Sequence, residues 1–264
     1  MRSPIVRTLR TFGAALLVAL ACLRPASAAT DYTDLWWNAG ESGWGANFIQ
    51  ADDFIFVTFF IYGPTLQPTW YSGEMTRGAG GVWTGPLYLT SGSYFGAPWN
   101  PAQRTTAEVG TVTFAPLSAV AGTLTYNVGT INVAKSVTRQ TLKTIIVGGT
   151  YLGGIYGDVN NCQNPLNNQT YRAFADFAAI QSTNGQLQID FSVQGGGTCS
   201  MRGAAIQDGQ LFRIPNATYT CANGLVTTAS VTHIKATMQG FEGQWIAPVD
   251  FGCIEAGYWS GVLK

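Results

Sequence analysis

After its first thirty residues the chain is written in period two. Short runs of alternating apolar and polar positions are broken by Gly, Asn, Asp or Pro, and no capped 3.6-residue apolar stripe interrupts them. Leu124, Tyr126 and Val128 share one parity and Thr123, Thr125 and Asn127 the other, as a half-buried strand requires. Ile189, Phe191 and Val193 alternate in the same way with Gln188, Asp190, Ser192 and Gln194. The pattern predicts strands over 35–37, 45–51, 54–62, 69–75, 82–89, 110–114, 122–128 and 131–141 in the first half. In the second half it predicts 151–156, 171–180, 186–193, 198–206, 210–220, 227–237, 240–246 and 254–263. Asn184-Gly185 and Asp208-Gly209 read as hairpin turns, because Asn or Asp followed by Gly accepts positive φ at low cost. Pro64, Pro68, Pro86, Pro98 and Pro101 fall at turns or strand ends, where a missing N–H is tolerated.

So few residues separate successive strands that an antiparallel meander is the economical topology. The chain divides near residues 143–149, with about eight strands on each side. A meander of that length that closes on itself has no exposed edges. The expectation is an all-β protein with two antiparallel meander β-barrels in tandem, lipocalin- or avidin-like in architecture, over residues 31–143 and 149–264. Two β-sandwiches are the alternative.

One strand breaks the alternation. Residues 54–62 are apolar on both faces. With Phe54, Phe56, Phe60 and Tyr62 assigned to the core, Ile55, Val57, Phe59 and Ile61 point outward and need a cover. That cover is the second domain or a neighbouring loop, or else a protein partner or a second copy in a homodimer. No lipid-facing apolar band runs through the other strands, which argues against an outer-membrane barrel. The longest irregular stretch, Ser91 to Arg104, carries Tyr94, Phe95 and Trp99.

The N-terminus changes the picture. Arg2, Arg7 and Arg10 precede an apolar run from Thr11 to Leu23, followed by Ala26-Ser27-Ala28. This is the layout of a secretory signal peptide over residues 1–28, too short in its apolar part to span a bilayer. Cys22 offers a lipoprotein alternative, but Ala19-Leu20-Ala21 fits that pattern poorly. The mature chain is therefore expected in the periplasm or outside the cell, with no integral membrane segment. Four arginines leave with the leader, so ten basic and fourteen acidic side chains remain, a net charge of −4. Without a basic patch, neither nucleic acid nor an anionic membrane is an expected partner.

Four cysteines remain, all in the second half. In an exported chain an even set reads as disulfides. Cys199 and Cys221 lie on consecutive predicted strands, which favours that pair and leaves Cys162 with Cys253. With no C-x-x-C and a single histidine, His233, no metal site and no cofactor are expected. Catalytic constellations are thin. His233 sits in a strand pattern with no nucleophile elbow near it. Glu41 and Glu74 are the candidates for paired-carboxylate glycoside chemistry.

Aromatic residues are the remaining signal. Leu35-Trp36-Trp37-Asn38 and Glu41-Ser42-Gly43-Trp44-Gly45 concentrate tryptophan, glycine and one carboxylate in a short span. Trp37, Asn38, Glu41, Trp44, Trp70 and Tyr71 are candidate ligand-binding residues, since flat rings beside amide and carboxylate groups suit a glycan or a small apolar ligand. The alternative is that the tryptophans plug barrel ends and core. Glu41 is either a buried carboxylate paired with Arg139 or Lys135, or a ligand contact.

The same stretch resembles a β-module that recurs in secreted proteobacterial proteins. The resemblance continues through Phe56-Val57-Thr58-Phe59-Phe60-Ile61-Tyr62, Pro68-Thr69-Trp70-Tyr71, Val109-Gly110-Thr111, Gly122-Thr123-Leu124-Thr125-Tyr126 and Thr138-Arg139-Gln140, covering residues 31–143. The module's usual proline is absent here, where Ala39 and Gly40 stand. What the resemblance implies is location and fold, without chemistry. The functional expectation is an exported, non-catalytic binding or adhesion-type module with ligand contacts at the first-domain Trp/Glu cluster. A glycan hydrolase using Glu41 and Glu74 is one alternative. A structural accessory domain that packs on a partner through residues 54–62 is the other.

Overall fold

The computed structural model describes residues 30–264; the expected signal peptide over 1–28 and Cys22 lie outside them. Eight strands form the first barrel: β1 (Asp34–Trp37), β2 (Gly45–Ala51), β3 (Phe54–Tyr62), β4 (Pro68–Arg77), β5 (Trp83–Ser91), β6 (Thr105–Pro116), β7 (Ala121–Val128) and β8 (Ile131–Arg139). They pair in meander order and close through β1 and β8, where Trp36 faces Arg139 and Trp37 faces Thr138.

The second half holds β9 (Gly149–Asn160), β10 (Gln169–Gln181), β11 (Gln186–Val193), β12 (Thr198–Ala204), β13 (Ile206–Asp208), β14 (Leu211–Cys221), β15 (Val226–Ala236), β16 (Gly240–Val249) and β17 (Cys253–Leu263). Pairing of β12 with β14, and of β17 with β9, closes eight of these strands into a second antiparallel barrel. The short β13 pairs with the first residues of β14. The single strand expected over 198–206 is thus two, because Ala205 leaves the ladder and donates its N–H to the Gly185 carbonyl at 2.9 Å. Among the described residues no helix is long and apolar enough to cross a membrane.

Strand β3 corrects the expected facing. Ile55, Val57 and Phe59 are the buried residues, while Phe54, Phe60 and Tyr62 are exposed and Phe56 is half-buried. Apolarity on both faces leaves period two silent, and volume decides. Val57 faces inward over Gly73, whose place would bring a Cβ to 2.9 Å from Val57 Cγ1 and 2.8 Å from Val112 Cγ1. A narrow interior that needs a glycine opposite valine has no room for a ring at every inward position.

The base of the first barrel is plugged by Trp36, Phe48 and Phe114, with ring centroids 5.0–5.6 Å apart. There the buried Asp34 and Arg139 form an ion pair at 3.0 Å, and Arg139 also donates to the carbonyls of Thr33 (3.1 Å) and Ala119 (2.8 Å). Asp34 Oδ2 accepts the Gln210 N–H at 2.9 Å, which joins the two barrels. The Asp208-Gly209 turn is seated so tightly that a Cβ on Gly209 would lie 2.8 Å from Arg139 Cβ and closer still to Asp34 Oδ2. Gly209 N–H donates to Thr141 Oγ1 at 3.0 Å. Val147, buried in the second core, donates its N–H to Gln181 at 2.8 Å and accepts the Tyr151 hydroxyl at 2.9 Å.

Candidate functional site

The structure separates the six first-domain candidates. Glu41, Trp44 and Tyr71 gather at the barrel end away from Asp34 and Arg139. Lys135 donates to Glu41 at 2.6 Å, and the Trp44 indole N–H donates to the same oxygen at 3.2 Å. The Lys135 ammonium lies 5.9 Å from the Trp44 ring centroid, and Trp44 and Tyr71 pack on the core that includes Tyr126. Glu41 is paired but exposed, a correction to the buried alternative; Arg139 is taken by Asp34. The Lys135 hydrogen bond, helped by its charge and by Trp44, holds Glu41 below the usual carboxylate range against a desolvation cost. Burial, with the charges of Glu41 and Tyr71 adding, pushes the Tyr126 phenol up.

The other three stand elsewhere. Asn38 turns back to accept the Gly40 N–H at 2.9 Å and shapes the loop. Trp37 lies half-buried with the parity opposite to buried Trp36. Trp70 pairs across the outer wall with Phe60, and the two are 52% and 54% exposed. Glu74 is exposed and in register with Phe56, on the face of β4 opposite Tyr71. Glu41 and Glu74 therefore belong to different surfaces and form no facing carboxylate pair.

A site that the sequence reading missed lies in the second barrel. Four residues in register cross four strands: Trp245 on β16, Gly257 on β17, Gly157 on β9 and Tyr171 on β10. The glycines are required by close approach. A Cβ on Gly257 would lie 2.5 Å from the Tyr156 carbonyl oxygen and closer to the Trp245 ring, and one on Gly157 would enter the Tyr171 ring. Two large rings thus lie over two bare backbones and turn their polar edges to one carboxylate. Glu255, two residues before Gly257, is 6% exposed. It accepts the Tyr171 hydroxyl at 2.6 Å and the Trp245 indole N–H at 3.3 Å. Tyr219 lines the same cavity and feels the charge of that carboxylate. Burial first, then the charge of Glu255, raises both phenols far above their ordinary value, so both stay protonated donors.

Glu255, Tyr171, Tyr219 and Phe191 line a cavity of about 520 Å³ at the end of this barrel away from the Asp208-Gly209 turn. That size falls within the range of small-molecule pockets. Its rim carries exposed Leu166 and Phe251, with Asp250, Asn167 and Asn223 between them. Both disulfides staple this rim: Cys199–Cys221 bridges the β12–β14 seam, and Cys162–Cys253 ties the β9–β10 loop to the start of β17. The pairing expected from the sequence is the one found. A signal for the site was present in β17, where Glu255 shares parity with Cys253 and Trp259, both buried.

His233 lies elsewhere, at a bulge in β15, with φ 54° and its Nε2 buried without a hydrogen-bond partner. Burial, then the charge of Arg139, holds its pKa below the ordinary histidine value. Among the described residues no group of three or more His, Cys, Asp or Glu side chains could hold a metal ion. Comparison of the sequence with protein-family models gives no match. Comparison with curated proteins gives none either.

Proposed function

We propose that this chain is an exported, non-catalytic binding protein whose second barrel holds a small organic ligand in its open end. The observation that carries the reading is a single one: a buried carboxylate, presented by aromatic donors, on the wall of a cavity that opens to solvent. A carboxylate buried only for structure would be expected under a sealed core or beside a basic partner. The stapled rim supports the reading, because bridges that fix a cavity mouth pre-organise it and lower the ordering cost of binding. Disulfides also fit an oxidising compartment.

The test is a thermal-shift and tryptophan-fluorescence screen of the full chain against small organic molecules and soluble glycans. At a concentration of about 100 Kd a true ligand adds about 2.7 kcal/mol of stability. Ala222→Trp, which places an indole at the exposed rim, should abolish the shift without altering far-ultraviolet circular dichroism. A screen in which no compound raises the midpoint contradicts the proposal.

A second reading keeps a contact face on the first barrel, where Phe60 and Trp70 sit side by side and Phe95 and Trp99 are exposed in the 92–104 loop. Aromatic faces of this kind suit glycan stacking or a protein partner. Trp70→Ala should weaken retention on an insoluble glycan or partner matrix while leaving the second-barrel ligand untouched; equal retention removes this reading.

A further inference from the structure

Resting on the second-barrel reading, we infer that the ligand is an organic cation: an ammonium group carried on a compact apolar or aromatic body. Glu255 is buried, and its two oxygens accept only from neutral groups, the phenol of Tyr171 and the indole of Trp245. Among the described residues no lysine, arginine or histidine forms an ion pair with it. None of the residues lining the cavity is basic, while a second acid, Asp250, stands at the exposed rim. Neutral donors orient a carboxylate but leave its charge unbalanced, and an unbalanced charge in a desolvated site is a standing cost. A monocation entering the cavity removes that cost, and an anion doubles it.

The lining chooses an organic cation over an inorganic one. The faces of Tyr171, Phe191 and Tyr219 offer aromatic surface, which attracts an ammonium group through the ring quadrupole and covers an apolar body equally well. A hard metal ion instead asks for six or more oxygen ligands, and around Glu255 the available groups are phenol and indole hydrogens already directed at its oxygens. Leu166 and Phe251 on the rim extend the apolar surface beyond the charge-bearing floor. The cavity thus sets a buried carboxylate inside a rim where hydrocarbon from Leu166 and Phe251 stands beside the acid Asp250, and neither level repels a cation.

The inference is tested by isothermal titration of the full, oxidised chain with three compounds of one shape and different charge: phenethylammonium, 2-phenylethanol and 3-phenylpropionate. Phenethylammonium is expected to bind at least about tenfold more tightly than the alcohol, with the carboxylate weakest. Glu255→Gln, confirmed as folded by near-ultraviolet circular dichroism, is expected to erase the preference for the cation. Equal or tighter binding of the alcohol or the carboxylate overturns the inference and leaves the second-barrel reading standing. A cation preference that survives Glu255→Gln overturns it as well, and so does silence from phenethylammonium at millimolar concentration. Should the variant fail to fold, the three-compound series on the unaltered chain decides alone. Failure of the second-barrel reading is distinguishable, since it requires silence from the whole screen.

Discussion

Gly257→Ala is the sharpest structural perturbation of the site, because the distances set its size. The new methyl would stand 2.5 Å from the Tyr156 carbonyl oxygen and nearer still to Cζ2 and Cη2 of Trp245. Carbon atoms pack at about 3.5–4.0 Å, so the indole must retreat by roughly 1 Å or the backbone of β9 must move. Overpacking of this kind costs about 1–3 kcal/mol. The Trp245–Glu255 hydrogen bond, at 3.3 Å, has no slack to absorb the retreat. Losing a hydrogen bond to a charged group adds about 1.5–3 kcal/mol. The two effects together predict a loss of about 3–5 kcal/mol, large against a usual total of about 5–15 kcal/mol. Urea denaturation followed by tryptophan fluorescence reads it. Gly154→Ala, on β9, is the control: its Cβ would meet nothing nearer than the Ala173 carbonyl oxygen at 3.8 Å, and the change should fall within about 0.5 kcal/mol of the parent. A Gly257→Ala cost under about 1 kcal/mol, or one no greater than that of Gly154→Ala, would refute the claim that the glycine exists to seat the indole.

Asp34→Asn leaves the buried Arg139 guanidinium without its carboxylate and should cost about 3 kcal/mol, with Asp34→Ala nearer 5 kcal/mol, measured by urea denaturation. A cost below about 1 kcal/mol would mean that the pair does not secure the β1–β8 closure. His233 has a folded-state pKa lowered from 6.5, so the stability it contributes is complete above 6.5 and is lost as pH falls from there through the folded value. His233→Asn, which keeps a residue tolerant of the positive φ, should flatten the fall in melting midpoint between neutral and acidic pH, and parallel curves would remove His233 as the cause. Paired Cys199→Ser and Cys221→Ser substitutions should cost about 3 kcal/mol by loop-closure entropy and loosen the rim, weakening ligand binding more than Asp34→Asn does; unchanged affinity would show that the staple has no part in the site.

The architecture was readable because its determinants are local. Asn184-Gly185 and Asp208-Gly209 do form turns, with both glycines at positive φ, and the parity of Leu124 and Tyr126 or of Ile189 and Phe191 is the parity of burial. What the letters could not supply were quantities set by neighbours far along the chain. The facing of β3 depends on the bare backbone at Gly73, and the docking of Gly209 on Asp34, 175 positions apart, leaves no local trace. Density of tryptophan around Glu41 drew attention to the first domain, yet Trp36 and Trp83 are packing residues and Glu41 already holds Lys135. Glu255 lies in β17, and its partners Tyr171 and Trp245 come from positions 84 and 10 residues away. Only its inward parity, shared with a buried cysteine and a buried tryptophan, marked it.

Whether the second barrel, with Glu255 on its wall, receives a ligand is the decisive question. The most direct measurement is fluorine NMR of the full chain labelled with 5-fluorotryptophan, the Trp245 resonance being assigned by Trp245→Phe. On addition of the pooled small-molecule screen, the Trp245 signal is predicted to shift while those of Trp36 and Trp83 in the first core stay fixed. A pool that moves Trp70 or Trp44 and leaves Trp245 unmoved, or that moves none of them, would contradict it.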